Sequence, residues 1–290
     1  MRRLAEVGIH PKPRHGQNFL VDLNLLRLLA DSAQLTADDV VLEVGTGTGS
    51  LTGIMAPRVA KVVSVELDSQ MHVLASEELI DQQNVILIQQ DALKNKNHMN
   101  PDVLDAVRRE LAVDPARRFK LVANLPYNIA TPILSNLLAE EPVPVSMTVT
   151  IQKELADRIT AAPRTKDYGA LSVWVQSQCE TELIRILSPT VFWPRPKVHS
   201  AIIQLRFDPE RRKSIADLEF FHSTVRALFF HRRKFLRGVV LSAFKGQLTK
   251  ADVDHVLGSL QFEPSTRAEE LDVSTIVALC NALYRIQKAE

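Results

Sequence analysis

The chain is poor in cysteine: Cys179 and Cys280 stand alone and far apart among 290 residues. Two isolated thiols build neither a disulfide framework nor a Cys-based zinc site, and they fit a reducing compartment. Long apolar runs are missing as well. The longest uncharged stretch, Leu121 to Ala139, is interrupted by Pro126 and Pro132 and carries three asparagines, which makes it a poor membrane span. The start, Met1-Arg2-Arg3-Leu4-Ala5-Glu6, is basic but runs on to His10 and Lys12 with no apolar core, unlike a signal peptide. The cytoplasm is the expected location. There is also no internal repeat and no low-complexity tract.

Net charge is nearly absent, at +1, which gives no first reason to expect a nucleic-acid partner. That average hides a gradient. Between Arg185 and Lys250, 14 basic residues face only Asp208, Glu210, Asp217 and Glu219. Such an excess fits a polyanion partner, although a basic face can also be merely solvated. What is present is ordinary for a folded chain: 46% hydrophobic and 24% charged residues exclude disorder and collagen-like repetition. At roughly 150 residues per domain, the length predicts two domains.

Alternation of strand and helix signals fills the first two thirds. Asp22 can cap a helix striped by Leu25, Leu26, Leu28 and Leu29, and the buried-strand run Val40 to Val44 follows. Further strand candidates are Val62 to Val65, Val85 to Ile88, Leu121 to Ala123 and Met147 to Ile151, each separated by room for a helix. Short apolar strands alternating with helices predict a mostly parallel sheet covered on both faces. Leu171 to Gln176 and Ala201 to Phe207 read as later strands. Beyond Asp208 the pattern turns helical, with stripes at Phe220, Phe221, Val225, Leu228 and Phe229 and at Phe235, Leu236, Val239 and Val240. Thr266 with Glu269 resembles a capping box, and a last helix is expected over about 274 to 286. The expected division is 1–207 as an α/β domain and 208–290 as a small all-α domain.

Gly45, Gly47 and Gly49 interrupt the chain between a buried strand and a helix beginning near Leu51. Glycines there let backbone approach a nucleotide-like ligand, though a tight turn without a ligand needs them too. A dinucleotide fingerprint fails at Ser50, where its third glycine should stand. Glu66 ends the next strand, 21 residues beyond Gly45, where a carboxylate can accept from both hydroxyls of a ribose. Asp91 closes the following strand and suits an adenine amino group. Singly, each acid reads as a surface residue. Two in register behind a glycine loop make a methyltransferase pattern of the Rossmann-like type.

Asn124-Leu125-Pro126-Tyr127 follows the fourth strand. An adenine amine is a weak nucleophile because its lone pair is delocalised into the ring. Acceptors aimed at its protons, here the Asn124 side-chain oxygen and the Leu125 or Pro126 carbonyl, favour the pyramidal geometry needed in the transition state. Pro126 fixes the turn and Tyr127 offers a stacking face to a base that must be unpaired or flipped out.

With these motifs in hand, the sequence resembles the KsgA (RsmA) family of small-subunit ribosomal RNA adenine dimethyltransferases. The likeness spans nearly the whole chain: Gly16-Gln17-Asn18-Phe19-Leu20, Glu43 to Thr52, Glu66-Leu67-Asp68, Asp91-Ala92-Leu93, Asn124 to Asn128, Gln152-Lys153-Glu154, Tyr168 to Val173, Phe192 to Val198 and Arg267-Ala268-Glu269. The resemblance implies a class I methyltransferase domain with an N-terminal arm and a helical RNA-binding domain. It implies S-adenosylmethionine as cofactor, held by Asn18, Leu20, Gly45, Glu66, Asp91 and Asn124, and no metal. Tyr127 and Phe192 would sandwich the target adenine. The implied reaction dimethylates the N6 amines of two adjacent adenosines in a hairpin near the 3′ end of the RNA, within a pre-ribosomal particle and by a monomer. Arg232, Arg233, Lys234 and Arg237 are the expected phosphate contacts, and the apolar stripes beside them are expected to be core.

Some positions depart from the family's usual pattern. Thr46 stands where Pro is general, a change that can loosen the glycine loop but leaves its backbone contacts open. His199 replaces a common Asp, and His15 precedes Gly16 where an apolar residue is usual; neither receives a role. The stretch 94–119 is long, and Val103, Leu104, Val107 and Leu111 predict an inserted amphipathic helix that covers the sheet. The competing readings are an Erm-type large-subunit methyltransferase, a non-catalytic ribosome-assembly factor and a small-molecule dehydrogenase.

Overall fold

A computed structural model describes residues 16–289, so the arm before Gly16, with His15, lies outside the described residues. Two compact units are present. The first comprises the described residues up to Ala156 together with Thr181–Phe207; the second comprises Asp157–Glu180 and the chain from Asp208 onward. Residues 157–180 thus group with the C-terminal helices, a correction to the 1–207 and 208–290 division.

The strands, in chain order, are β1 (Phe19–Leu20), β2 (Asp39–Val44), β3 (Lys61–Glu66), β4 (Val85–Gln89), β5 (Leu93–Asn95), β6 (His98–Met99), β7 (Arg118–Asn124), β8 (Ser146–Gln152), β9 (Cys179–Leu187), β10 (Phe192–Trp193) and β11 (Ser200–Phe207). The helices are α1 (Leu23–Ser32), α2 (Ser50–Met55), α3 (Ser69–Glu78), α4 (Pro101–Leu111), α5 (Ala130–Ala139), α6 (Lys153–Thr160), α7 (Ala170–Gln176), α8 (Pro209–Lys213), α9 (Leu218–Phe230), α10 (Leu236–Ala243), α11 (Lys250–Ser259) and α12 (Val273–Ala289).

A seven-stranded sheet in the order β4-β3-β2-β7-β8-β11-β9 forms the first unit. β4, β3, β2, β7 and β8 run parallel, and β11 pairs antiparallel with β8. Every residue of β2 is buried, as a central strand covered on both faces requires. Val41, Val62, Val122 and Ile202 pack under Leu26, Leu29 and Ala30 of α1. The inserted α4 buries Val103, Leu104 and Val107 and packs on β2, β3 and β7, so it covers the sheet as expected. Asp22 caps α1 by accepting from the amides of Asn24 and Leu25. Because the chain leaves β2 for β3 on one side and returns to β7 on the other, the carboxyl ends of these strands border a topological switch point, where such sheets bind ligands.

α9 is the centre of the second unit and packs against α7, α10 and α12. Trp174 of α7 stacks on Phe221 of α9 at 6.3 Å between ring centroids. Residues 171–176 are therefore helical and not a strand. Leu171 to Val175 are all buried, and a short apolar run with no exposed face carries no period to tell helix from strand. The strand β9 escapes the sequence pattern because Glu180, Glu182 and Arg185 make it read as polar. Thr266 and Glu269 form no capping box: Glu270 receives the Arg267 amide, and the amide of Thr275 in α12 donates to Asp272. Among the described residues, no helix is long and apolar enough to cross a membrane.

Candidate active site

β2 ends at Val44, and Gly45 turns the chain with φ +87°, a region that L side chains avoid. Its amide donates to the Val65 carbonyl at 2.8 Å. A Cβ at Gly45 would sit 3.3 Å from the Pro126 ring, so glycine lets the loop lie against the Asn-Leu-Pro-Tyr turn. Gly47 then donates its amide to Glu66 Oε2 at 2.9 Å, while the Asp68 amide donates to Oε1 at 2.8 Å. Glu66 is only 6% exposed. Burial raises its pKa and the two amides oppose that shift. Each oxygen keeps a lone pair for a further donor.

Beneath the loop lies a chain of hydroxyls. Ser64 and Thr52 both donate to Glu43 Oε2, and Ser64 Oγ lies 2.6 Å from Thr46 Oγ1. While Glu43 is ionised the Ser64 proton goes to it and Thr46 donates to Ser64; once Glu43 is protonated, either hydroxyl of the pair can donate. The Thr46–Ser64 hydrogen bond ties the glycine loop to β3, a link that proline at this position could not make. Burial pushes the Glu43 carboxyl from 4.5 up to about 7.

Asn124 is the last residue of β7. Its Nδ2 donates to the Asn18 carbonyl at 2.9 Å. Only the amino end of an amide can meet a carbonyl, so this bond fixes which way the side chain points. The opposite atom, Oδ1, is buried without a hydrogen-bond partner. Buried acceptors are rarely left so, and the exceptions call for a ligand or a catalytic role. The Pro126 carbonyl accepts from the Ile129 amide at 3.1 Å, which leaves the Leu125 carbonyl as the freer of the two backbone acceptors. Tyr127 is half-buried and shares a 2.5 Å hydrogen bond with Ser200. Burial raises its pKa, so the hydroxyl stays protonated.

Asn18, Gly45, Glu66, Asp91, Asn124, Leu125 and Pro126 line one cleft at the carboxyl ends of β2, β3, β4 and β7. Counted with the solvent at its mouth, it spans about 780 Å³. Asp91 is exposed and lies two residues past the end of β4, with Oδ1 accepting from the Leu93 amide at 2.9 Å. Leu20 and Phe192 do not line the cleft. They pair across β1 and β10, and both side chains belong to the core cluster under α1. Phe192 is 3% exposed, which corrects its assignment as a stacking face. Sequence reasoning missed Gln90, whose buried Nε2 also lacks a partner, and Leu67, a 49% exposed leucine at the cleft wall. Their signal was adjacency to Asp91 and Glu66. Among the described residues, no group of three or more His, Cys, Asp or Glu is placed to hold a metal.

The four expected phosphate contacts divide into two pairs. Arg232 donates to the Lys166 and Tyr168 carbonyls at 2.7 and 3.0 Å and lies 3.4 Å from Glu269. Arg237 holds Asp254 through Nε and Nη2 at 2.6 and 2.9 Å. Arg233 and Lys234 are exposed and form no ion pair among the described residues.

A sheet of this order, with a glycine loop, a buried strand-end glutamate and an Asn-Leu-Pro-Tyr turn at its switch point, defines a Rossmann-like methyltransferase. The particular family follows from comparison with known proteins. Residues 9–279 match the family described as ribosomal RNA adenine dimethylase, and the chain belongs to it. It is similar to ribosomal RNA small subunit methyltransferase A of Geobacillus thermodenitrificans, with 39% identity covering 97% of this chain and 93% of the relative. The protein of that name from Lactiplantibacillus plantarum is 38% identical over 96% of this chain and 92% of its own length. In fold it is similar to a dimethyladenosine transferase from Plasmodium falciparum, with TM-score 0.78 at 23% identity over 93% of this chain and 98% of that one. The 23S rRNA methyltransferase ErmE aligns with TM-score 0.66 and 26% identity, covering 92% of this chain and 99% of its own.

Proposed function

We propose that this chain dimethylates the N6 amines of two adjacent adenosines in a hairpin near the 3′ end of small-subunit ribosomal RNA. It would use S-adenosylmethionine and act as a monomer on a pre-ribosomal particle in the cytoplasm. The observation that carries this reading is the buried, unpartnered Oδ1 of Asn124, a cleft-lining residue whose Nδ2 is held by the Asn18 carbonyl. An acceptor in that state suits an amine whose protons need partners while its lone pair is freed.

The cleft fits the cofactor. Glu66 keeps acceptor capacity for two ribose hydroxyls, Asp91 for an adenine amine, and the unpartnered Gln90 Nε2 awaits an acceptor. Gly45 admits close approach, and Asn18 joins the N-terminal segment to Asn124. S-adenosylmethionine supplies a methyl group on a positively charged sulfur. The target N6 would form a C–N bond to that methyl as the methyl's bond to sulfur breaks, and the N6 proton would leave to water. Asn124 Oδ1 and the Leu125 carbonyl accept from N6, and Tyr127 stacks on the base. Two rounds consume two cofactor molecules.

The test is transfer of labelled methyl groups to unmodified small subunits beside naked RNA. Dimethyladenosine recovered from small-subunit RNA is the expected result. Label confined to large-subunit RNA overturns the substrate assignment in favour of the Erm-type activity.

A further inference from the structure

We propose that Phe230 and Phe235, in the helical unit, form a stacking platform for unpaired RNA nucleotides, a contact separate in kind from methyl transfer. The inference rests on the RNA-methylating reading above. Phe230, the last residue of α9, is 79% exposed, the highest value among the large apolar side chains described. Phe235, just before α10, is 53% exposed, contrary to the expectation that this stripe is core. α9 buries Phe221, Val225 and Leu228, and residue 230 falls off that stripe, so folding gains little from a ring there. Holding two phenylalanines in water forgoes the burial that core packing would provide.

Charge selects the occupant. The segment between the rings contains Arg233 and Lys234, both exposed and outside any ion pair among the described residues. The Arg267 guanidinium stands 5.7 Å over the Phe235 ring, placing a further cation at the platform. Two acids of this unit are occupied, Glu269 by Arg232 and Asp254 by Arg237. Aromatic faces set among unpaired cations bind single strands, with backbone phosphates meeting the cations and bases stacking on the rings.

The probes are a 12-nucleotide single-stranded RNA carrying 2-aminopurine and a blunt duplex of the same sequence, each titrated with the full chain. Wild type should bind the single strand with quenching and with salt-dependent affinity. Phe230→Ala and Phe230→Leu should each weaken single-strand binding about tenfold, leave its salt slope unchanged and alter duplex binding less than twofold. Phe230→Trp should restore both affinity and quenching. Arg233→Ala should instead lower the slope by about one. Unchanged melting temperatures would confirm that the variants fold.

If Phe230→Ala and Phe230→Leu both keep single-strand affinity within twofold while salt-dependent binding persists, the platform is wrong and the RNA-binding reading stands. Absence of salt-dependent binding in wild type overturns both. Equal losses for single strand and duplex, or a wild-type dimer that Phe230→Ala dissociates, also overturn the platform, the latter in favour of a second copy of this chain.

Discussion

The cleft of the α/β unit and the basic segment of the helical unit both carry polar groups, and they differ in how those groups are satisfied. In the cleft, each oxygen of Glu66 holds a backbone amide, Asn124 is oriented by Asn18, and its Oδ1 is a buried acceptor without a partner. In the segment 232–237, Arg232 and Arg237 are consumed by the fold, while Arg233 and Lys234 stay in water. Unmet bonding capacity is what the proposed roles rest on in both places. Its energetic scale differs: a buried unmet acceptor acts in low dielectric and admits one geometry, whereas exposed cations act additively and through salt.

The sharpest way to break this comparison is Asn124→Ala. Removing the oriented acceptor should lower the rate of methyl transfer about 100- to 1,000-fold, with RNA-particle binding retained, as measured by single-turnover assays beside a filter-binding titration. Comparable losses in binding and rate would mean that the cleft and the RNA-holding surface are not separable. Next is Glu43, whose carboxyl burial raises from 4.5 to about 7. The folded chain binds that proton more tightly than the unfolded chain, so this group's contribution to stability falls as pH rises from about 4.5 to about 7, by on the order of 3 kcal/mol. Urea denaturation at pH 5 and pH 7.5 should show that fall in wild type and lose most of it in Glu43→Gln. A smaller effect is expected at Gly45→Ala, which combines φ +87° with the Pro126 contact. Strain of about 1–3 kcal/mol should appear as roughly 5- to 150-fold weaker cofactor binding by calorimetry.

The smallest effects separate the four basic residues. Lys234→Ala should reduce the slope of log affinity against log salt by about one, whereas Arg237→Ala should leave it nearly unchanged because that guanidinium is already bound to Asp254. Equal slopes for the two variants would show that the ion pair opens on RNA.

Much of the site was legible in the sequence because its chemistry is local. The glycine loop, Glu66 and Asn124 each sit at the end of an apolar strand, and parallel strands bring such ends to one edge whatever the intervening loops do. Leu20 and Phe192 were misplaced for a different reason. Each lies in a recognisable motif, but which side of a two-residue strand faces the core depends on the β1–β10 pairing and on α1 above it. The helix at 170–176 was read as a strand because Val173, Trp174 and Val175 favour strands, and packing against α9 overrides that preference.

By itself the sequence determined the layered α/β architecture, the helical ending, the methyltransferase signature and the basic excess, since periodicity, turn residues and charge are properties of neighbours along the chain. Only the tertiary structure decided which polar atoms remain without partners. Arg232 and Arg233 are adjacent and chemically identical, yet one is held by Tyr168 and Glu269 and the other is free, because saturation of a hydrogen-bonding group depends on what folding brings within 3 Å of it.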